Sequence, residues 1–115
     1  MAAGQYDITM DRGVYYEVTF VLKDESDVAI DITNYTFKSQ IKRAGHPKVE
    51  QEFTTAITNA STGSVRISLT GNKTRKLPSE PLIYDLVAKD SASLLRKYVE
   101  GKITIRETTT DTTGL

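Results

Sequence analysis

Val14-Tyr15-Tyr16-Glu17-Val18-Thr19-Phe20-Val21-Leu22 sets Tyr16, Val18, Phe20 and Leu22 at every second position, with Glu17 and Thr19 on the intervening side. A strand turns successive side chains to opposite faces, so this spacing predicts one apolar and one polar face over Val14 to Leu22. The same period recurs on both sides of it. Upstream, Tyr6, Ile8 and Met10 alternate with Asp7 and Thr9 and stop at the turn Asp11-Arg12-Gly13. Downstream, Lys23 to Asp27 is a loop, because Asp and Ser bond their own backbone in place of a ladder. Ile30 and Ile32 flank Asp31 in a short extended piece, and Tyr35, Phe37, Ser39 and Ile41 then alternate with Thr36, Lys38, Gln40 and Lys42. Arg43 to Lys48, with Gly45 and Pro47, closes that strand.

Val49 to Ile57 reads as one strand, with Phe53, Thr55 and Ile57 on one side and Glu50 and Glu52 on the other. The turn cluster Asn59 to Gly63 leads into Val65, Ile67 and Leu69, a hairpin pattern. Gly71 to Leu77 is polar and ends at Pro78, which predicts one short helical turn crossing between sheets. Tyr84, Leu86 and Ala88 form an inward face, while Ile83 and Val87 make the same strand apolar on its other side, so a cover over that face is expected. Asp90 to Ser93 turns the chain into a last long strand, Leu94 to Arg106, with Val99, Gly101, Ile103 and Ile105 inward.

Seven or eight short strands without a helix of ten residues predict an all-β fold, an Ig-like antiparallel sandwich in preference to a small barrel. With no cysteine and no tryptophan, an antibody-type core around a disulfide is excluded. Residues 1–106 form the expected sandwich domain. The segment 107–115, rich in Thr, has almost nothing to bury and is expected to order only against a neighbouring subunit. Phe20, Phe37, Ile67, Leu86 and Ile103 are the expected core. Gly13 and Gly101 are expected to serve the backbone, one at a turn and one where a side chain would crowd its neighbour.

Composition and motifs argue against chemistry. The 115 residues carry 15 basic and 15 acidic side chains, so no global field gathers nucleic acid, anionic membrane or acidic substrate. Met1 to Gln5 lacks a basic start before a long apolar run, and the chain is expected to begin here, in a cytosol. His46, the single imidazole, lies in a Gly-Pro loop without partners at ligand spacing. Asp24, Glu25 and Asp27 lack the glycine and distant Glu of a calcium loop. Glu50 and Glu52 read as a wet strand face, and Lys73, Arg75 and Lys76 as a basic cluster without the Gly-rich backbone or aromatics of a phosphate or nucleic-acid site. The six tyrosines fall mostly on strand faces, where the ring packs and the hydroxyl reaches the rim. No catalytic, cofactor-binding or metal site is expected, and the chain is not expected to be an enzyme.

One resemblance runs through these segments in order. Tyr6-Asp7-Ile8-Thr9, Gly13, Val18-Thr19-Phe20-Val21-Leu22-Lys23-Asp24 and Ile30-Asp31-Ile32-Thr33-Asn34-Tyr35-Thr36 are followed by Gly63-Ser64-Val65-Arg66-Ile67-Ser68-Leu69-Thr70 and Leu77-Pro78. Leu82-Ile83-Tyr84-Asp85-Leu86 and Tyr98-Val99-Glu100-Gly101-Lys102-Ile103-Thr104-Ile105 complete the series. The pattern resembles small tailed-bacteriophage virion proteins with an Ig-like sandwich, similar to the N-terminal domain of phage baseplate upper proteins. That resemblance implies a multimeric structural protein of the virion, assembled in the host cytoplasm and bound to other virion structural proteins in the tail, baseplate or fibre-attachment region. From the balanced charge and the missing motifs, no nucleic acid, membrane or small-molecule partner and no cofactor is expected. In that family the sandwich docks and a later segment carries receptor binding. This chain stops where the later segment would begin, so a stand-alone component is expected. A capsid decoration protein and a carbohydrate-binding or adhesin-like module are the alternatives.

Overall fold

In the computed structural model, which describes residues 4–111, 113 and 114, two sheets pack face to face. The larger contains β1 (Gly4–Gln5), β2 (Ile8–Asp11), β4 (Thr36–Arg43), β5 (Val49–Glu52), β8 (Leu82–Lys89) and β9 (Leu95–Arg106). Its order is β5-β4-β8-β9, with β1 and β2 following one another along the far side of β9. The smaller has the order β3-β7-β6, from β3 (Tyr16–Val21), β7 (Ser64–Leu69) and β6 (Thr54–Asn59). A five-residue helix, α1 (Gly71–Arg75), joins β7 to β8 across the sandwich, at the place where the sequence predicts a helical turn. The fold is an all-β sandwich of Ig-like connectivity.

Three features depart from simple alternation. β1 and β2 pair with β9 in parallel, so the sandwich is not wholly antiparallel. A parallel pair needs a long crossover, and here the rest of the domain is that crossover. Second, Val49 to Ile57 is two strands, not one: β5 pairs with β4 in the larger sheet and β6 with β7 in the smaller. The switch occurs at Phe53, whose side chain is buried and whose amide donates to the Ser39 carbonyl at 2.9 Å. Third, a bulge in β9 opposite Leu86 and Val87 puts Tyr98 and Val99 inside side by side, which a strict period of two forbids.

The core runs between the sheets through Ile8, Met10, Ile41, Val65, Ile67, Leu69, Leu82, Leu86 and Ile103. Ile67, Leu86 and Ile103 are buried as expected. Phe20 and Phe37 are only partly buried, which corrects their place in the expected core. Phe20 lies on β3, an edge strand, so its ring meets the sandwich rim and packs edge-on to Tyr6 at 5.3 Å between centroids. Phe37, near the start of β4, packs beside Tyr35 at 6.1 Å. The outer face of β8 is open: Ile83 is exposed and Val87 half-buried, with no cover among the described residues.

Gly101 is where β9 meets the N-terminal segment. A Cβ there would stand 2.0 Å from the Tyr6 carbonyl oxygen, closer than any side chain can approach. Tyr6 and Asp7 cross over this glycine between β1 and β2, and the Tyr84 hydroxyl donates to the same Tyr6 carbonyl at 2.5 Å. Gly13 has φ of +79° in the turn before β3. Beside it, the buried Thr74 hydroxyl of α1 accepts the Gly13 amide at 3.0 Å and lies 3.1 Å from the Val14 carbonyl, fixing α1 on that turn.

Candidate interaction surface

The residues singled out from sequence do not converge. His46 is exposed in the β4–β5 loop, where its amide donates to the Arg43 carbonyl at 3.0 Å. The Asp24 carboxylate accepts the amides of Ser26 and Val28 at 2.8 and 3.0 Å, and Asp27 pairs with Lys23 at 3.6 Å. This acidic turn is folded on itself. Glu50 pairs with Arg43 at 3.2 Å, while Glu52 accepts from Gln40 at 2.9 Å, so the two carboxylates serve different neighbours. Among the described residues, no three His, Cys, Asp or Glu side chains are grouped to hold a metal ion. Lys73, Arg75 and Lys76 lie on α1 and its C-cap, with Arg75 donating to Asn72 at 3.1 Å.

The tyrosines divide between core and surface: Tyr84 and Tyr98 are buried, Tyr16 and Tyr35 partly buried, and Tyr6 exposed. Burial, reinforced by the neighbouring Tyr6, pushes the Tyr16 hydroxyl up to about 12, and burial beside Tyr35 does the same for Tyr98. Burial also raises Tyr84, whose proton is engaged by the Tyr6 carbonyl. Such hydroxyls stay neutral hydrogen-bond donors at ordinary pH. Tyr15 is exposed, and its hydroxyl meets Glu17 at 3.1 Å.

Arg12, read from sequence as part of a turn, is a structural hub. Its guanidinium meets the Glu107 carboxylate at 2.6 and 2.9 Å, the Arg75 carbonyl at 3.2 Å, the Leu77 carbonyl, and the Ser79 hydroxyl at 2.8 Å. The Thr108 hydroxyl donates to the Arg12 carbonyl at 2.6 Å. The first two residues of the Thr-rich segment are thereby held on the domain itself. Sequence carries little signal for this, since Arg12 and Glu107 are 95 positions apart.

What the surface offers is edges, ends and one open face. β5 and β6 border one side of the sandwich, with β3 and the β1–β2 segment on the other. β6, Thr-Thr-Ala-Ile-Thr-Asn, carries no charge to discourage pairing, whereas β5 carries Glu50 and Glu52. The outer face of β4, β8 and β9 holds a shallow depression of about 570 Å³, walled by Lys42, Asp85, Lys97, Glu100 and Lys102 around Ile83 and Val87. Lys97 spans Asp85 and Glu100 at 3.8 and 3.9 Å, exposed pairs worth at most about 1 kcal/mol. Leu94 and Leu95, assigned from sequence to the start of the last strand, stand exposed at the tip of the β8–β9 hairpin. Their exposure is not visible in the alternation, because it depends on where the hairpin ends relative to the other sheet. Comparison of the chain with protein-family models and with curated proteins finds no match.

Proposed function

We propose that this chain is a structural protein of a tailed-phage particle, which binds neighbouring virion subunits in the tail, baseplate or fibre-attachment region and performs no reaction. The supporting observation is the correspondence between the phage-like segments and the Ig-like fold that the resemblance implies. Gly63 to Thr70 covers a turn and β7, Leu77-Pro78 follows the crossing helix, Leu82 to Leu86 lies in β8, and Tyr98 to Ile105 lies in β9. The surface suits docking: uncharged β6 backbone at an edge and exposed apolar side chains at the hairpin tip offer complementarity without a reactive cleft.

The test is the composition of purified particles, with a labelled antibody to locate the chain. The proposal predicts the protein in stoichiometric amount with label at the tail. Label over the head surface would favour a decoration protein. A chain absent from particles, with a positive glycan-array signal, would favour the carbohydrate-binding reading.

A further inference from the structure

The two partners of the Arg12–Glu107 pair differ sharply in burial. The Arg12 side chain is 21% exposed and the Glu107 side chain 70%, so the cation sits within the domain and the carboxylate outside it. An ordinary surface pair leaves both partners in water. The guanidinium is also fixed without help from Glu107. Nη1 donates to the Arg75 and Leu77 carbonyls, and Nη2 donates to the Ser79 hydroxyl at 2.8 Å. That leaves the Nε edge for the carboxylate, whose two oxygens lie 2.6 and 2.9 Å from Nε.

A planar guanidinium whose other donors are engaged by the fold is preorganised for a carboxylate, and binding one requires no further ordering of the cation. The resident carboxylate is held less firmly. Glu107 follows the last residue of β9, and Thr108 adds one bond, from its hydroxyl to the Arg12 carbonyl at 2.6 Å. Beside the pair lies an open polar depression of about 490 Å³, with Gly13, Arg75 and Asp111 among its walls. Asp111 already accepts the Thr113 amide at 3.0 Å, so with Glu107 withdrawn two guanidiniums, those of Arg12 and Arg75, border the depression against one engaged carboxylate. Its charge then favours an incoming anion, and the Nε edge suits a carboxylate. Replacing one carboxylate by another on the same fixed cation is a nearly even exchange, so modest added contacts decide which is bound.

We propose that Arg12 is a preformed carboxylate-binding site, filled in the free chain by Glu107 and taken over by an acidic side chain of a docked neighbour. The takeover rests on the docking reading of this chain, but the site is tested on the purified protein, so its failure leaves the particle experiment standing.

NMR of the Arg12 Nε–H group reads the site, its resonance being the one lost in Arg12→Lys. In Glu107→Ala this resonance should leave its wild-type position. Titration with acetyl-glutamate amide, a single side-chain carboxylate with neutral ends, should bring it back along a saturable curve with a midpoint below roughly 100 mM, weak as befits one charge-assisted contact. In the wild type, where the Glu107 carboxylate carbon reports its own displacement, the midpoint should be at least about tenfold higher, because Glu107 competes within the molecule. Acetyl-glutamine amide, the neutral isostere, should leave the Arg12 resonance where it is. No return of the resonance over that concentration range, an equal return with the glutamine compound, or equal affinity in the wild type would each overturn the proposal. Circular-dichroism melts verify that Glu107→Ala folds; Glu107→Gln replaces it if it does not.

Discussion

Replacing Gly101 by alanine adds one carbon at the most crowded point of the chain. That carbon would lie 2.0 Å from the Tyr6 carbonyl oxygen, 2.7 Å from its carbon and 3.1 Å from Asp7 Oδ1. Two of those atoms are backbone, so relief requires the Tyr6–Asp7 crossing to lift away from β9. Lifting it disturbs the Tyr6 amide bond to the Glu100 carbonyl at 3.0 Å, the Lys102 amide bond to Asp7 at 3.0 Å and the Tyr84 hydroxyl bond to Tyr6. Overpacking costs about 1–3 kcal/mol and each lost bond about 1 kcal/mol. Because the crossing can shift without losing every bond, the sum is about 3–5 kcal/mol. For a domain near 100 residues this lowers Tm by roughly 15–30 °C. Gly13→Ala is the control: its Cβ meets only the Arg75 side chain at 3.5 Å, so the penalty is left-handed backbone strain of about 1–2 kcal/mol. Circular-dichroism melts of the two variants decide the matter. A Gly101→Ala protein melting within a few degrees of wild type, or above Gly13→Ala, would refute the close-approach argument.

Leu86→Ala, at a fully buried site, should cost about 2–5 kcal/mol, and Phe20→Ala should cost less than the 3–5 kcal/mol typical of a buried Phe, because part of its ring already faces water; urea titrations give the comparison. Arg12→Ala removes the donor to the Leu77 carbonyl and the anchor of Glu107, so stability should fall by about 1–3 kcal/mol and hydrogen exchange should quicken at 107–108. Truncation after Thr108 should leave Tm within about a degree of wild type, whereas truncation after Arg106 should lower it measurably, since only the second cut removes the Arg12 contacts. The Lys102 amide, then Gln5, holds the Asp7 carboxyl below the usual carboxylate range, and the Leu94 amide leads the same effect at Asp90. Depressed folded pKa values give stability that is complete above the unfolded value near 4 and is lost as pH falls through the lower folded values. Tm should therefore hold from pH 7 to about 5 and drop below about 4, with a smaller acid drop in Asp7→Asn.

The parts of the fold legible in sequence are those where one face is buried along a whole central strand. Val65, Ile67 and Leu69 in β7 and Tyr84, Leu86 and Ala88 in β8 alternate and are buried as their spacing requires. The sheet switch at Phe53 escaped because Phe53, Thr55 and Ile57 keep the period through it, and no Gly or Pro marks the change. The bulge that turns Tyr98 inward is likewise silent, since its neighbours are ordinary strand residues. Edge strands mislead in another way: Phe20 occupies an inward position, but an edge leaves that position open at the rim. The surface was less legible still. The exposure of Leu94 and Leu95 follows from a register shared with β8, and the Arg12 hub from a contact across nearly the full chain.

The proposed function sets this sandwich among neighbouring subunits of a phage particle. A reconstruction of the purified particle at a resolution that traces strands tests it most directly. Density for the two-sheet domain is expected in the tail, with neighbouring chains packed against the β6 edge or the β8–β9 hairpin ends. Particles that lack this density, or that hold the domain with those surfaces facing solvent, would contradict it.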